Sequence, residues 1–372
     1  MKNRYEIRSI LLFALMRAPL RVAGTAFIAL ALVTFAQAAE STAPPNKDAA
    51  PEGMVWIPGG VFSMGNELSG GRMDEKPVIK VTLDGFWIDT CDVTNAQFRK
   101  FVDATGYKTV AERPIDWEEM KKQVPPGTPK PSSEQLQPGA VTFFPPPGPI
   151  DPKGEETWWT WTHGANWQHP EGPASDIKKR EDHPVVMIAW EDAVAYAKWA
   201  GKRLPTEAEW EFAARGKLEG KRFAWGDEFK PGGKFMANTW TGTFPSKNTG
   251  EDGFPGTSPV KSFPPNSYGL YDMAGNVWNW CGDWYRVDTL ARAKLAGAAI
   301  NPTGPASSYS PGHPLQQERV IKGGSWLCHV DVSEGYRPAA RRGSSIDTGM
   351  SHIGFRCAKN GAKENQVSPV VK

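Results

Sequence analysis

Glycine and proline punctuate this chain so densely that regular structure can only be short: 38 Gly and 33 Pro lie among 372 residues. Glycine opens backbone conformations that other residues avoid, and proline fixes φ and removes a donor, so each marks a turn or a break. Such a chain must find cohesion in its side chains, and 16 Trp supply it. Large flat rings either pack a core or line a groove. The composition suits irregular backbone held by a few regular elements, and no internal repeat of solenoid or propeller period accompanies it.

Those elements announce themselves by their ends. Thr94-Asn95-Ala96-Gln97 is a capping box, followed by Phe98, Phe101 and Val102 at helical spacing and stopped by Gly106. Thr206-Glu207-Ala208-Glu209 repeats the device, with Trp210, Ala213 and Ala214 as the apolar face and Gly216 as the stop. Between them, Asp192 to Ala200 carries Ala193, Tyr196 and Ala197 on one side. Strand signals lie at Met54–Ile57, Val61–Met64, Val78–Leu83, Phe86–Ile88, Arg319–Lys322 and Gly354–Ala358. The pattern predicts an α+β domain with few helices, short strands and much loop.

Basic Lys2, Arg4, Arg8, Arg17 and Arg21 precede an apolar run from Val22 to Ala36 that ends in Ala36-Gln37-Ala38. That is the order of a secretory signal, and the run is short for a membrane span. The expected organisation is a signal at residues 1–38, with Met16 as a second possible start, a flexible linker at 39–52, one domain at 53–360 and a tail at 361–372. The mature protein is then periplasmic or secreted, with no stable membrane span. The Pro-rich insert from Pro125 to Pro152 is expected to be a long surface loop. Net charge is +2 from 43 basic and 41 acidic residues, and no basic stripe is interleaved with aromatics, which argues against a nucleic-acid partner.

Five blocks carry further information: Gly201-Lys202-Arg203-Leu204-Pro205-Thr206-Glu207-Ala208-Glu209-Trp210-Glu211, Asn248 to Phe254, Tyr268 to Asp272 with Gly275-Asn276-Val277-Trp278, Gly323-Gly324-Ser325-Trp326-Leu327-Cys328-His329, and Gly354-Phe355-Arg356-Cys357. In this order, from about Met54 to Ala358, they resemble the motifs of formylglycine-generating enzymes, also called sulfatase-modifying factors. The resemblance implies the family's variant of the C-type-lectin-like fold. It also implies an oxidase that converts a cysteine of an exported protein or peptide, a sulfatase segment foremost, to formylglycine, with dioxygen as co-substrate and copper(I) held by two thiolates. Soft thiolates suit that d¹⁰ ion.

Cys328 matches the first family cysteine and is the expected catalytic residue and copper ligand. Ser333 stands where the second would be, and a hydroxyl is a hard, weak ligand. Two other functions therefore stay open: a related oxidase on the same scaffold, and a non-catalytic peptide- or protein-binding module. Ser325 matches the family serine before the cysteine. Arg341 matches the groove arginine, where a guanidinium would bind substrate or form a structural ion pair. Gly349 and His352 stand at the family's groove serine and asparagine. His329 would face away from Cys328 if the segment were extended.

Trp158, Trp159, Trp161 and Trp167 would either wall a peptide groove or pin a surface loop. The resemblance further implies two structural calcium sites: Asn238, Thr239, Asp252 and Phe254, and then Asp272, Gly275, Val277 and Asn279. In both, hard oxygens would tie together loops, although the same residues also build turns. The 4 Cys allow three complete pairings. Cys91 and Cys281, which match no catalytic position, are candidates to pair with each other.

Overall fold

The computed structural model describes residues 50–68, 71–148, 158–297 and 299–361. The expected signal, most of the linker and the tail beyond Gly361 lie outside them. In chain order, β1 (Met54–Ile57), β2 (Gly60–Met64), β3 (Ile79–Leu83) and β4 (Phe86–Asp89) precede α1 (Asn95–Thr105) and α2 (Trp117–Met120). β5 (Gly139–Phe143), β6 (Trp159–His163), α3 (Trp190–Trp199) and α4 (Glu207–Arg215) follow. The rest comprises β7 (Gly242–Thr243), β8 (Lys247–Asn248), β9 (Trp278–Trp284), α5 (Thr289–Ala296), β10 (Ala299–Ile300), β11 (Glu318–Lys322), β12 (Arg341–Ser345), β13 (Ile353–Gly354) and β14 (Ala358–Asn360). This is the expected α+β arrangement. No helix among the described residues is long and apolar enough to cross a membrane.

Local chemistry places these elements. Both capping boxes form, on α1 from Thr94 and Gln97 and on α4 from Thr206 and Glu209, and both helices stop at a left-handed glycine, Gly106 and Gly216. α3 begins two residues before the expected start. The cause is Asp192, which reaches back to accept from Ala189 N–H at 2.9 Å and so satisfies one of the unpaired donors of the first turn.

Central to the molecule is a four-stranded sheet in the order β12-β11-β9-β13, flanked by β1-β4-β14 and β10-β3-β2. The expected strand at Gly354–Ala358 is split, because the chain passes from β13 in the first sheet to β14 in the second. The Pro-rich insert is not all loop: β5 pairs antiparallel with β6, and Val141 N–H donates to Gly349 O at 3.0 Å, which ties the hairpin to the body. One apolar cluster gathers Phe98, Trp167, Tyr196, Trp280 and Phe355; another gathers Ile57, Val81, Ile88, Trp210 and Val320.

Buried ion pairs accompany these clusters. Arg341 bonds Glu207 at 2.6 and 2.8 Å, Lys322 bonds Glu211 at 2.9 Å, and Arg356 bonds Asp92 at 2.9 Å. All three cations are 0 % exposed, so each relies on buried carboxylates to compensate its charge.

Candidate active site

β11 leads directly into the Cys328 segment. Gly323 (φ 95°) and Gly324 (φ 70°) turn the chain behind it. A Cβ on Gly324 would lie 2.5 Å from Tyr336 N, and one on Gly323 would lie 2.8 Å from the Trp210 ring, so glycine alone passes. Ser325 to Cys328 closes as a tight turn, with Cys328 N–H donating to Ser325 O at 2.9 Å. A second turn follows, in which Ser333 N–H donates to His329 O at 2.8 Å.

The two turns fold Ser333 back onto Cys328. Its hydroxyl acts to lower the pKa of the thiol and accepts from Arg342 Nη2 at 3.3 Å. Ser325 N–H donates to Cys328 Sγ at 3.4 Å, while the Ser325 hydroxyl accepts from Leu327 N–H at 3.2 Å. Burial pushes the Cys328 thiol up, against the hydrogen bonds of Ser325 and Ser333 and the nearby charge of Arg342. At neutral pH the group is therefore protonated. Because the segment turns instead of extending, His329 does not face away: it lines the same cavity as Cys328.

That cavity measures about 250 Å³, with aromatic walls from Phe229, Phe235, Trp240 and Tyr336. Trp240 N–H donates to Cys328 O at 3.1 Å, which fixes the wall to the cysteine turn. Its ring stacks on Trp326 at 6.2 Å and meets Phe244 edge-on at 5.2 Å. The expected groove tryptophans join this cluster from β6 and the residue before it: Trp158 packs on Phe244 at 5.9 Å, and Trp159 packs on Phe143 at 5.7 Å. Phe143 in turn contacts Trp326 at 5.6 Å. Trp167 belongs to the core instead, against Phe98.

His352 lies against Trp159 with ring centroids 4.9 Å apart. Burial lowers its pKa to about 3, so it contributes a neutral ring and no charge. Gly349 has no room for the family's serine, since a Cβ there would lie 2.4 Å from Met187 O. Arg341 must be corrected as a groove residue. It is 0 % exposed, both arms of its fork engage Glu207, and its remaining Nη1 donates to Arg286 O at 2.7 Å. Neighbouring strand residues face opposite ways, and it is Arg342 that reaches the cysteine turn.

The two oxygen sets differ. In the first, Asn238 Oδ1 and Thr239 Oγ1 are buried without a partner among the described residues. Asp252 accepts from Thr239 N–H at 2.8 Å and Phe254 N–H at 3.1 Å. Burial raises its pKa against those two backbone donors. Unpaired oxygen acceptors beside a desolvated carboxylate fit a hard cation. The second set does not form such a cage. Asn279 Oδ1 already accepts from Arg356 Nε at 2.8 Å and Trp210 Nε1 at 3.0 Å, and its Nδ2 donates to Val277 O at 3.1 Å. Arg356 also donates to Asp272 O at 3.0 Å. A guanidinium thus stands among the oxygens expected to hold the second ion.

A family model described as a sulfatase-modifying factor enzyme 1-like domain matches residues 39–361. The chain belongs to the sulfatase-modifying factor family. It is 48 % identical to a formylglycine-generating enzyme of Mycobacterium tuberculosis over 309 residues, covering 82 % of this chain and 96 % of the relative. The mouse formylglycine-generating enzyme is 46 % identical over 309 residues, covering 82 % and 74 %. A bovine relative, inactive C-alpha-formylglycine-generating enzyme 2, is 37 % identical over 313 residues, covering 83 % and 89 %. Among solved structures, PvdO of Pseudomonas aeruginosa shares the fold at TM-score 0.52 and 24 % identity, covering 82 % and 94 %.

Within this sulfatase-modifying factor the donor set around Cys328 does not fit copper(I) held by two thiolates. Cys328 faces the Ser333 hydroxyl, and His329 Nδ1 is engaged by Asp331 N–H at 3.3 Å. Cys91, Cys281 and Cys357 are also free thiols, so the candidate Cys91–Cys281 disulfide is not formed. Arg342, Tyr336, Trp240 and Trp326 are site residues that the sequence reading passed over. Trp326 lies inside the Cys328 motif and was open to notice; the others reach the site from separate loops and strands.

Proposed function

We propose that this protein takes a cysteine-bearing protein segment of the sulfatase type into the cavity beside Cys328 and converts its cysteine to formylglycine with dioxygen. The observation that carries this reading is the placement of Cys328 in the family's motif, against a 250 Å³ aromatic-walled cavity. The balance is fixed by the atoms: R–CH₂–SH, O₂, two electrons and two protons give R–CHO, H₂S and H₂O, so an external thiol reductant must accompany oxygen. Ser325 N–H holds the Cys328 sulfur, Arg342 holds the Ser333 hydroxyl of the same turn, and the Trp158 and Trp159 cluster provides apolar surface for the segment.

A second reading, a peptide-binding module without turnover, is favoured by Ser333 alone. Export fits the residues before Ala39 and an exported substrate. Calcium is proposed at Asn238, Thr239, Asp252 and Phe254, where it would neutralise Asp252 and tie two loops together.

The deciding experiment incubates purified protein with a sulfatase-motif cysteine peptide, oxygen and a thiol reductant, with and without copper(I), and follows the peptide by mass spectrometry. An aldehyde in place of the thiol supports the oxidase. Tight binding of an unchanged peptide supports the module.

A further inference from the structure

Two residues that line the cavity carry a polar hydrogen that nothing among the described residues accepts. The Tyr336 hydroxyl and the Trp240 indole N–H are buried without a partner among the described residues, in side chains that are 1 % and 4 % exposed. Taking such a group from water without a replacement partner is unfavourable, and native structures seldom leave one so. Both rings are packed on their neighbours. Tyr336 packs against Phe229 at 5.3 Å and Phe223 at 5.9 Å, and Trp240 is held by Trp326, Phe244 and its backbone bond to Cys328 O. Burial and the neighbouring Glu334 and Cys328 push the phenol up, so it stays a donor.

We propose that Tyr336 Oη and Trp240 Nε1 form a donor pair for an acceptor oxygen that enters the cavity beside Cys328. The occupant's identity rests on the formylglycine reading: it is a backbone carbonyl of the cysteine-bearing peptide or an oxygen of the dioxygen co-substrate. Both take the same hydrogen bonds. A carbonyl takes them on binding, whereas dioxygen takes them as negative charge develops on it.

The test uses the full purified protein with Tyr336→Phe and Trp240→Phe. Without ligand, Tyr336→Phe should melt at or above the parent midpoint, because it deletes a buried donor that has no partner. A fall of several degrees would mean a structural partner and would overturn the pair. Affinity for a synthetic sulfatase-motif cysteine peptide, measured without oxygen, should fall about tenfold in each variant if the occupant is a peptide carbonyl. Unchanged affinity with about tenfold slower turnover assigns the oxygen atom instead. Variants that match the parent in both measurements overturn the proposal. A parent protein that binds the peptide and never oxidises it sinks the oxidase reading alone, since affinity without oxygen still reports on the pair. If the parent does neither, both readings fall.

Discussion

The loop around Asp252 holds carboxylate and amide oxygens that no cation among the described residues pairs with, whereas the loop around Asp272 has closed on the guanidinium of Arg356. Both are irregular segments with polar groups turned inward, and the second has positive charge at its centre. In the second the charge is covalently part of the protein and present in any solution. In the first it would have to come from outside, and its effect would vary with free metal concentration. A loop-rich fold can thus be fastened by built-in or by exchangeable cations, and the two kinds should fail under different insults.

The sharpest break is Arg356→Met. It leaves buried Asp92 with only the Asn279 amide as partner among the described residues, at 2.9 Å, and loss of one member of such an ion pair costs about 3–5 kcal/mol. Chemical denaturation should show a loss of that size, with no recovery on adding calcium. Recovery with calcium would mean that the second loop does accept an ion, and the contrast would disappear.

Glu211 tests the built-in cations by pH. Despite burial, which acts to raise it, Lys322 and Arg215 lower its pKa to about 2 from an ordinary 4.5. A depressed carboxyl contributes stability that is present above its ordinary value and is lost as pH falls through the window toward about 2. Glu211→Gln should therefore be less stable than the parent at neutral pH, by roughly 3 kcal/mol, and the gap should close as acid is added. A gap independent of pH would mean that packing and not charge carries the effect.

Chelation probes the exchangeable side. An ion that binds only the folded state at a hundredfold excess over its Kd adds about 2.7 kcal/mol, so removal of calcium should lower the thermal midpoint. Asp252→Ala should abolish the response, and Asp272→Ala should leave it intact. A parent protein indifferent to chelation, with no metal by elemental analysis, would leave both loops without an ion.

The contrast also marks what could be read before the fold was seen. The helix ends at Thr94, Gly106, Thr206 and Gly216 were legible because capping is local chemistry. β9 was not, since Trp-Asn-Trp-Cys-Gly-Asp-Trp mixes good strand formers with Asn, Gly and Asp, and its place in the sheet comes from tertiary packing. The order of the motifs located Cys328. Which of Arg341 and Arg342 reaches it depends on strand facing, where one residue of slip reverses the answer. The place of His329 was open for a related reason, since alternation holds only in extended chain and this segment turns. The roles of Asn279 and Arg356 required knowing that two segments 77 residues apart meet.

Ser333 offers the smallest expected change in stability and the largest in chemistry, because it is a third place where the family resemblance implies a cation. Here the guanidinium of Arg342 reaches the Ser333 hydroxyl and its charge acts on Cys328, while a hydroxyl stands where the second thiolate would be. Ser333→Cys supplies a soft ligand where a hard one stands. With the turn geometry retained, copper(I) affinity should rise markedly over the parent in a competition titration, and peptide oxidation should rise with it. Cys328→Ala should remove both in either background. If the parent already oxidises the peptide well and the new cysteine only closes a disulfide with Cys328, activity does not depend on a thiolate pair, and the Ser333 hydroxyl held by Arg342 is part of a working one-thiol site. If neither version oxidises the peptide or binds copper while both retain the peptide, the cavity is a recognition site, and the comparison extends to a third loop that has dispensed with its ion.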